Sequence, residues 1–121
     1  MSRTILVALL ALSCACADEG RKDLVRMTGG DPRRASAAFR KYACHGCHVI
    51  PGVPGAHATV GPPLAGIAGR SYLAGRVPHS LDSLITWIRH PKQVDPRTVM
   101  PEMGVTEEEA RDMAAYLYSI P

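Results

Sequence analysis

Cys44-His45-Gly46-Cys47-His48 places two thiols three positions apart, with an imidazole directly after the second. Thiols at that spacing add to the two vinyl groups on one edge of a porphyrin, and the residue that follows carries an iron ligand beneath the ring. The motif occurs once, which predicts one haem c held covalently through Cys44 and Cys47 with His48 as its proximal ligand. Zinc is the rival, because Cys44, His45, Cys47 and His48 are all acceptable zinc ligands. A second CxxC or HxxxH pair is needed to close that tetrahedron, and none follows. Haem is the better account, and His45 is then a spacer.

The second axial position of such an iron needs a further donor. Met100, Met103, His57, His79 and His90 are the candidates. A thioether is a soft ligand that raises the reduction potential and suits an electron carrier; a methionine is also a common core filler. Met100 and Met103 share one irregular segment, placed to cross the far face of a ring held at Cys44. From the residues alone the choice stays open.

The 121 residues suffice for one domain. A core that small is weak unless a large apolar body sits in it, and with Trp87 the only tryptophan and Phe39 the only phenylalanine, a porphyrin would supply what the side chains lack. Arg3, the apolar run Ile5 to Leu12 and the small residues Cys14 to Ala17 read as an export signal over residues 1–17. The run is far below the ~20 residues that span a bilayer. Ala15-Cys16-Ala17 suits cleavage before Asp18, whereas Ala11-Leu12-Ser13-Cys14 resembles the box before a lipid-modified cysteine; either places the protein in the periplasm or on the extracytoplasmic face of a bacterial membrane, the second with a tether through Cys14. The formal charge is +3, without the clustering that nucleic-acid binding requires. Arg70, Arg76, Arg89, Lys92 and Arg97 offer a basic rim for an acidic redox partner.

The elements that position these groups are read from caps and periodicity. Residues 18–30 are charged, lack an apolar period and end in Gly29-Gly30, which predicts a flexible linker; residues 31–121 are the folded domain. Asp31 caps a first helix with Pro32 at its first position and Ala35, Ala38, Phe39 and Tyr42 on one face, running straight into Cys44. The glycines and prolines from Val49 to Gly75 predict a long irregular loop wrapped round a cofactor. Ser80 caps a second helix from Leu81 to about Arg89, stopped by Pro91. Val94 to Val105 is extended or turning, and Thr106 with Glu109 forms a capping box for a last helix, expected to pack across the first. No stretch alternates like a strand. The fold class is all-α, three main helices with long loops round one haem.

From Asp31 onward the chain resembles a class I cytochrome c of the small bacterial single-haem kind. The motif at Cys44 to His48 matches, as does Gly61-Pro62-x-Leu64, where the resemblance implies that the Pro62 carbonyl accepts a hydrogen bond from the His48 imidazole. Arg70, eight residues beyond Pro62, stands where the family has a propionate-side arginine. Pro91-x-x-x-x-Pro96-x-Thr98-x-Met100 is similar to the segment that delivers the methionine sulfur. The resemblance therefore implies Met100 as second ligand, Trp87 packed beside it, and Arg70, Tyr72 and Thr98 as propionate partners. Three departures stand out. Ala35 replaces a glycine at the helix crossing, which predicts looser contact there; a separate propionate-binding tryptophan has no counterpart; and two extra residues separate His48 from Pro62 relative to the mitochondrial form.

The expected function is single-electron transfer between respiratory or dehydrogenase partners through His48/Met100-ligated haem, with no catalytic residues. A haem-based sensor or peroxidase-like protein is the alternative if Met100 is displaced, and a bis-histidine haem with His57 or His79 if it never binds.

Overall fold

The computed structural model describes residues 18–121; the stretch read as an export signal, Cys14 included, lies outside the described residues. Residues 18–28 are helical (α1), followed by α2 (Pro32–Lys41), α3 (Leu81–Arg89), a single turn α4 (Pro91–Val94) and α5 (Glu107–Ser119). Tyr72–Leu73 (β1) and Val77–Pro78 (β2) pair as a minimal antiparallel hairpin. That hairpin was not expected, because two residues a side are too few to show alternation.

The stretch read as a flexible linker is instead helical over 18–28. Its support comes from charge spacing and not from apolar periodicity: Asp18 pairs with Arg21 and Lys22, and Asp23 with Arg26, at i+3 and i+4. Gly29 ends the helix with a positive φ of 70°, its N–H donating to the Val25 carbonyl at 2.8 Å. Thr28 is buried, and the Arg111 guanidinium donates to its carbonyl at 3.0 Å. α1 is thus fastened to α5.

α2 starts as its sequence dictates. The Asp31 carboxylate accepts from the Arg33 N–H at 3.0 Å, and Pro32 occupies the first turn, where a missing N–H costs nothing. Ala35, Ala38 and Phe39 of α2 and Ala110, Met113, Ala114 and Leu117 of α5 are all buried in the shared core. The contact expected to be loose at Ala35 is closed, since Ala35 is fully buried in this core. The glycine that admits the close approach is Gly30, where a Cβ would run into the Arg111 carbonyl. Phe39 meets Tyr116 edge to face, with centroids 5.7 Å apart.

Polar groups lock the same crossing. Asp112, buried on α5, accepts from the Asp31 N–H at 2.6 Å and from Arg34 at 2.7 and 2.8 Å. Thr106 caps α5 by accepting from the Glu109 N–H at 3.2 Å. The Glu109 carboxylate does not complete the reciprocal box; it accepts from Lys41 at 2.7 Å, Tyr42 at 2.5 Å and the Thr106 hydroxyl at 2.8 Å. Those donors, Lys41 first, hold its carboxyl down at about 2.

An acid-lability prediction follows. A carboxyl depressed in the folded state contributes stability that is complete above its unfolded value and is lost as pH falls through the folded one. For Glu109 that window runs from 4.5 down to about 2, and Asp31, held at about 2 by the Arg33 side chain and N–H, acts in the same range. Melting temperature should therefore drop across this window, and Glu109→Gln should lower it at neutral pH while flattening the acid limb. An unchanged slope in the variant would show that the Lys41–Tyr42–Glu109 contact does not couple to folding.

α3 begins with a reciprocal box, Ser80 and Ser83 each bonding the other's N–H at 3.0 and 2.8 Å. Leu84, Ile85 and Ile88 are buried, and α3 packs on α5. Pro91 ends α3 but also opens α4, since a proline is equally suited to a first helical turn. Among the described residues no helix is long and apolar enough to cross a membrane.

Candidate functional site

α2 ends at Lys41, and the chain reverses through Ala43 in the left-handed region (φ 56°) before Cys44–Gly46 make one 3-10 turn. Burial pushes the free Cys44 thiol up to about 11. The His48 N–H donates to the Cys44 carbonyl at 3.0 Å, closing the motif on itself.

The loop from Val49 to Gly61 is not slack. Ile50, Val53 and Ala56 are buried and joined by backbone bonds of 3.1–3.2 Å, and Tyr116 of α5 donates to the Pro51 carbonyl at 2.6 Å. The chain then returns alongside the motif: the Gly61 N–H donates to the Cys47 carbonyl at 2.8 Å and the Leu64 N–H to the Val49 carbonyl at 2.9 Å. This return brings the Pro62 carbonyl to 2.7 Å from His48 Nδ1, which places the proton on Nδ1 and leaves Nε2 as the ring's free lone pair. The pairing expected of Pro62 and His48 is present.

A cleft of about 510 Å³ opens between this motif and the segment after α4. Its lining includes Cys44, Cys47, His48 and Pro62, Trp87 from α3, Thr98, Met100 and Met103 from the 95–106 segment, and Arg70 and Tyr72 just before and within β1. All nine site residues expected from sequence line this one cleft. Thr98 accepts the Met100 N–H on its hydroxyl at 3.1 Å, and Lys92 donates to the Thr98 carbonyl, pinning the segment that carries the methionine. Arg70 commits one nitrogen to the Pro63 and Ala65 carbonyls, at 2.5 and 3.3 Å.

Sequence reasoning missed Val60, Ile67, Leu73, Ala74 and Val99, which complete the walls. They lie in Gly- and Pro-rich loops, one 3-10 turn and a two-residue strand, all too short for a period to mark an inward face. His57, His79 and His90 do not line the cleft. His57 bridges Val49, His79 Nε2 lies 2.9 Å from the Tyr118 hydroxyl, and His90 faces Glu102 at 3.6 Å. The bis-histidine alternative loses its ligands. The zinc reading fares no better, since no group of three or more His, Cys, Asp or Glu is gathered for a metal among the described residues.

Two packed helices, α2 and α5, an apolar cleft and a CxxCH motif in its lining define a c-type haem protein. The chain belongs to the cytochrome c family, whose pattern it matches over residues 33–121. It is also 31% identical over 83 residues to the cytochrome c oxidase subunit 2 of Alkalihalophilus pseudofirmus, a match covering 68% of this chain and 23% of that protein. No solved structure matches it. Family membership brings covalently bound haem c and haem-based electron transfer. The residues fit that group: the cleft is bordered by two thiols, an imidazole with a free nitrogen and thioethers, and Arg70 is the one charged side chain in its lining.

Proposed function

We propose that Cys44 and Cys47 hold a single haem c, that His48 Nε2 and the Met100 sulfur are its two axial ligands, and that the protein passes single electrons between partner proteins without acting on a bound substrate. When bound, the haem supplies a one-electron iron couple whose potential a thioether ligand raises. The observation that supports the reading is the cleft itself, whose lining holds both the cysteines and histidine of the CxxCH motif and the hydrogen-bonded Thr98-x-Met100 segment.

The chain's own residues then have defined tasks. Pro62 orients the His48 ring through Nδ1 and increases the basicity of the opposite nitrogen. Trp87, Leu64, Ile67 and Leu73 keep water from the cleft, which lowers the local dielectric and with it the solvent rearrangement accompanying a change of charge. Arg70, Tyr72 and Thr98 are the polar groups offered to the propionates. With two axial positions filled there is no open site for oxygen or peroxide. The likeness to an oxidase subunit supports a respiratory oxidase as acceptor, and the residue pattern of the first 17 positions supports an extracytoplasmic location.

The test is the exported protein's visible spectrum, oxidised and reduced, together with haem staining of a denaturing gel. A reduced c-type spectrum, the weak red sulfur-to-iron band of the oxidised form, and stain that survives denaturation are expected. Cys44→Ser with Cys47→Ser should abolish the stain entirely, and either change alone should weaken it. A colourless wild-type protein would end the proposal.

A further inference from the structure

Lys92 is bonded to both flanks of Met100. Its ammonium donates to the Thr98 carbonyl, and its main-chain N–H donates to the Glu102 carboxylate at 3.1 Å. Thr98 and Glu102 each stand two residues from the methionine, one before it and one after. Neither Lys92 nor Glu102 lines the cleft, so neither bond competes with a group held there.

The turn that carries Lys92 is a firm anchor. Pro91, the first residue of α4, is fully buried and has its φ fixed by its own ring, and the Asp95 N–H closes the turn on the Pro91 carbonyl at 2.9 Å. The segment that carries the methionine is otherwise weakly tied. Its own main-chain bonds are local: the Thr98 N–H donates to the Asp95 carbonyl at 3.0 Å and the Met100 N–H to the Thr98 hydroxyl at 3.1 Å. Among the described residues no other backbone N–H from Val99 to Val105 makes a hydrogen bond, and burial of Val105 secures only the far end. Glu102 also faces His90, but at 3.6 Å the two are too far apart for a hydrogen bond.

We propose that Lys92 and Glu102 are positioning residues, which clasp the 98–102 segment against α4 and so keep the Met100 sulfur at the iron. The inference rests on the His48/Met100 reading above. A sulfur carried on a loop leaves the metal when the loop swings out, and each hydrogen bond that has to break first reduces the open population by about fivefold.

Carbon monoxide reaches the iron only while the sulfur is away, so its rate of binding to the reduced, haem-loaded protein follows that open population. Glu102→Ala and Lys92→Ala should each raise the rate by about fivefold and lower the temperature at which the red band is half lost, while the helical melt followed in the far ultraviolet stays in place. Glu102→Gln keeps an amide oxygen to accept from the Lys92 N–H and should bind at the wild-type rate. Glu108→Ala removes the same charge from α5, away from the segment, and should change neither readout. Wild-type rates in both alanine variants of the clasp would overturn it. So would a red band lost only together with the helices, or a Glu102→Gln that behaves like Glu102→Ala, which would assign the effect to carboxylate charge beside His90. In each of those cases a red band in the wild type leaves the electron-carrier reading standing, whereas a wild type that lacks the band and takes up carbon monoxide at once would remove both.

Discussion

Met100→Ala should abolish the red sulfur-to-iron band of the oxidised protein, allow ready binding of carbon monoxide to the reduced form, and lower the midpoint potential by on the order of 0.2–0.3 V. The size follows from the ~0.8 V span over which axial ligands set haem potentials and from the preference of a thioether for the reduced iron. The neighbouring Met103 provides an internal comparison, since it lines the same cleft but is more exposed and lacks the hydrogen bond that Thr98 gives the Met100 backbone. Met103→Ala should keep the band and shift the potential little. The reverse pattern, with the band surviving at Met100→Ala and vanishing at Met103→Ala, would assign the sulfur to Met103 and require the 98–103 segment to seat differently. Retention in both variants would mean that neither methionine is a ligand.

What could be read in advance depended on how local each signal was. Asp31, Ser80 and Thr106 cap their helices within three residues of themselves, so α2, α3 and α5 were legible from short windows. The His48–Pro62 contact was legible only through the family pattern, because it joins residues fourteen positions apart. α1 was not legible: its ion pairs sit on a surface without apolar periodicity, and its anchorage at Thr28 and Gly30 depends on Arg111, more than eighty residues away. The same holds for Glu109. A capping box is a local pattern, yet Lys41 and Tyr42 arrive from α2 and take over its carboxylate.

Gly61→Ala should damage the site more than any other single methyl group added to its walls. Gly61 does not have a positive φ, so the glycine is needed for space and not for backbone freedom. A Cβ there would collide with the His48 ring, lying 2.7 Å from Nδ1 and 2.9 Å from Nε2. Neither partner can retreat: the ring is held by the Pro62 carbonyl, and the Gly61 backbone is bonded to Cys47, one of the two cysteines proposed to carry the haem. Relief requires breaking one of these two bonds, at a cost of about 1–3 kcal/mol for overpacking, or about 4–8 °C in melting temperature per kcal/mol for a domain of this size. The ring's altered tilt should also weaken the red band and shift the potential. Gly46→Ala is the control within the same motif, because a Cβ at Gly46 meets nothing within 4 Å; its effect should stay within about 0.5 kcal/mol. Equal melting temperatures and spectra for the two variants would mean that His48 has room to move, and that Pro62, not the glycine before it, is what holds the imidazole in place.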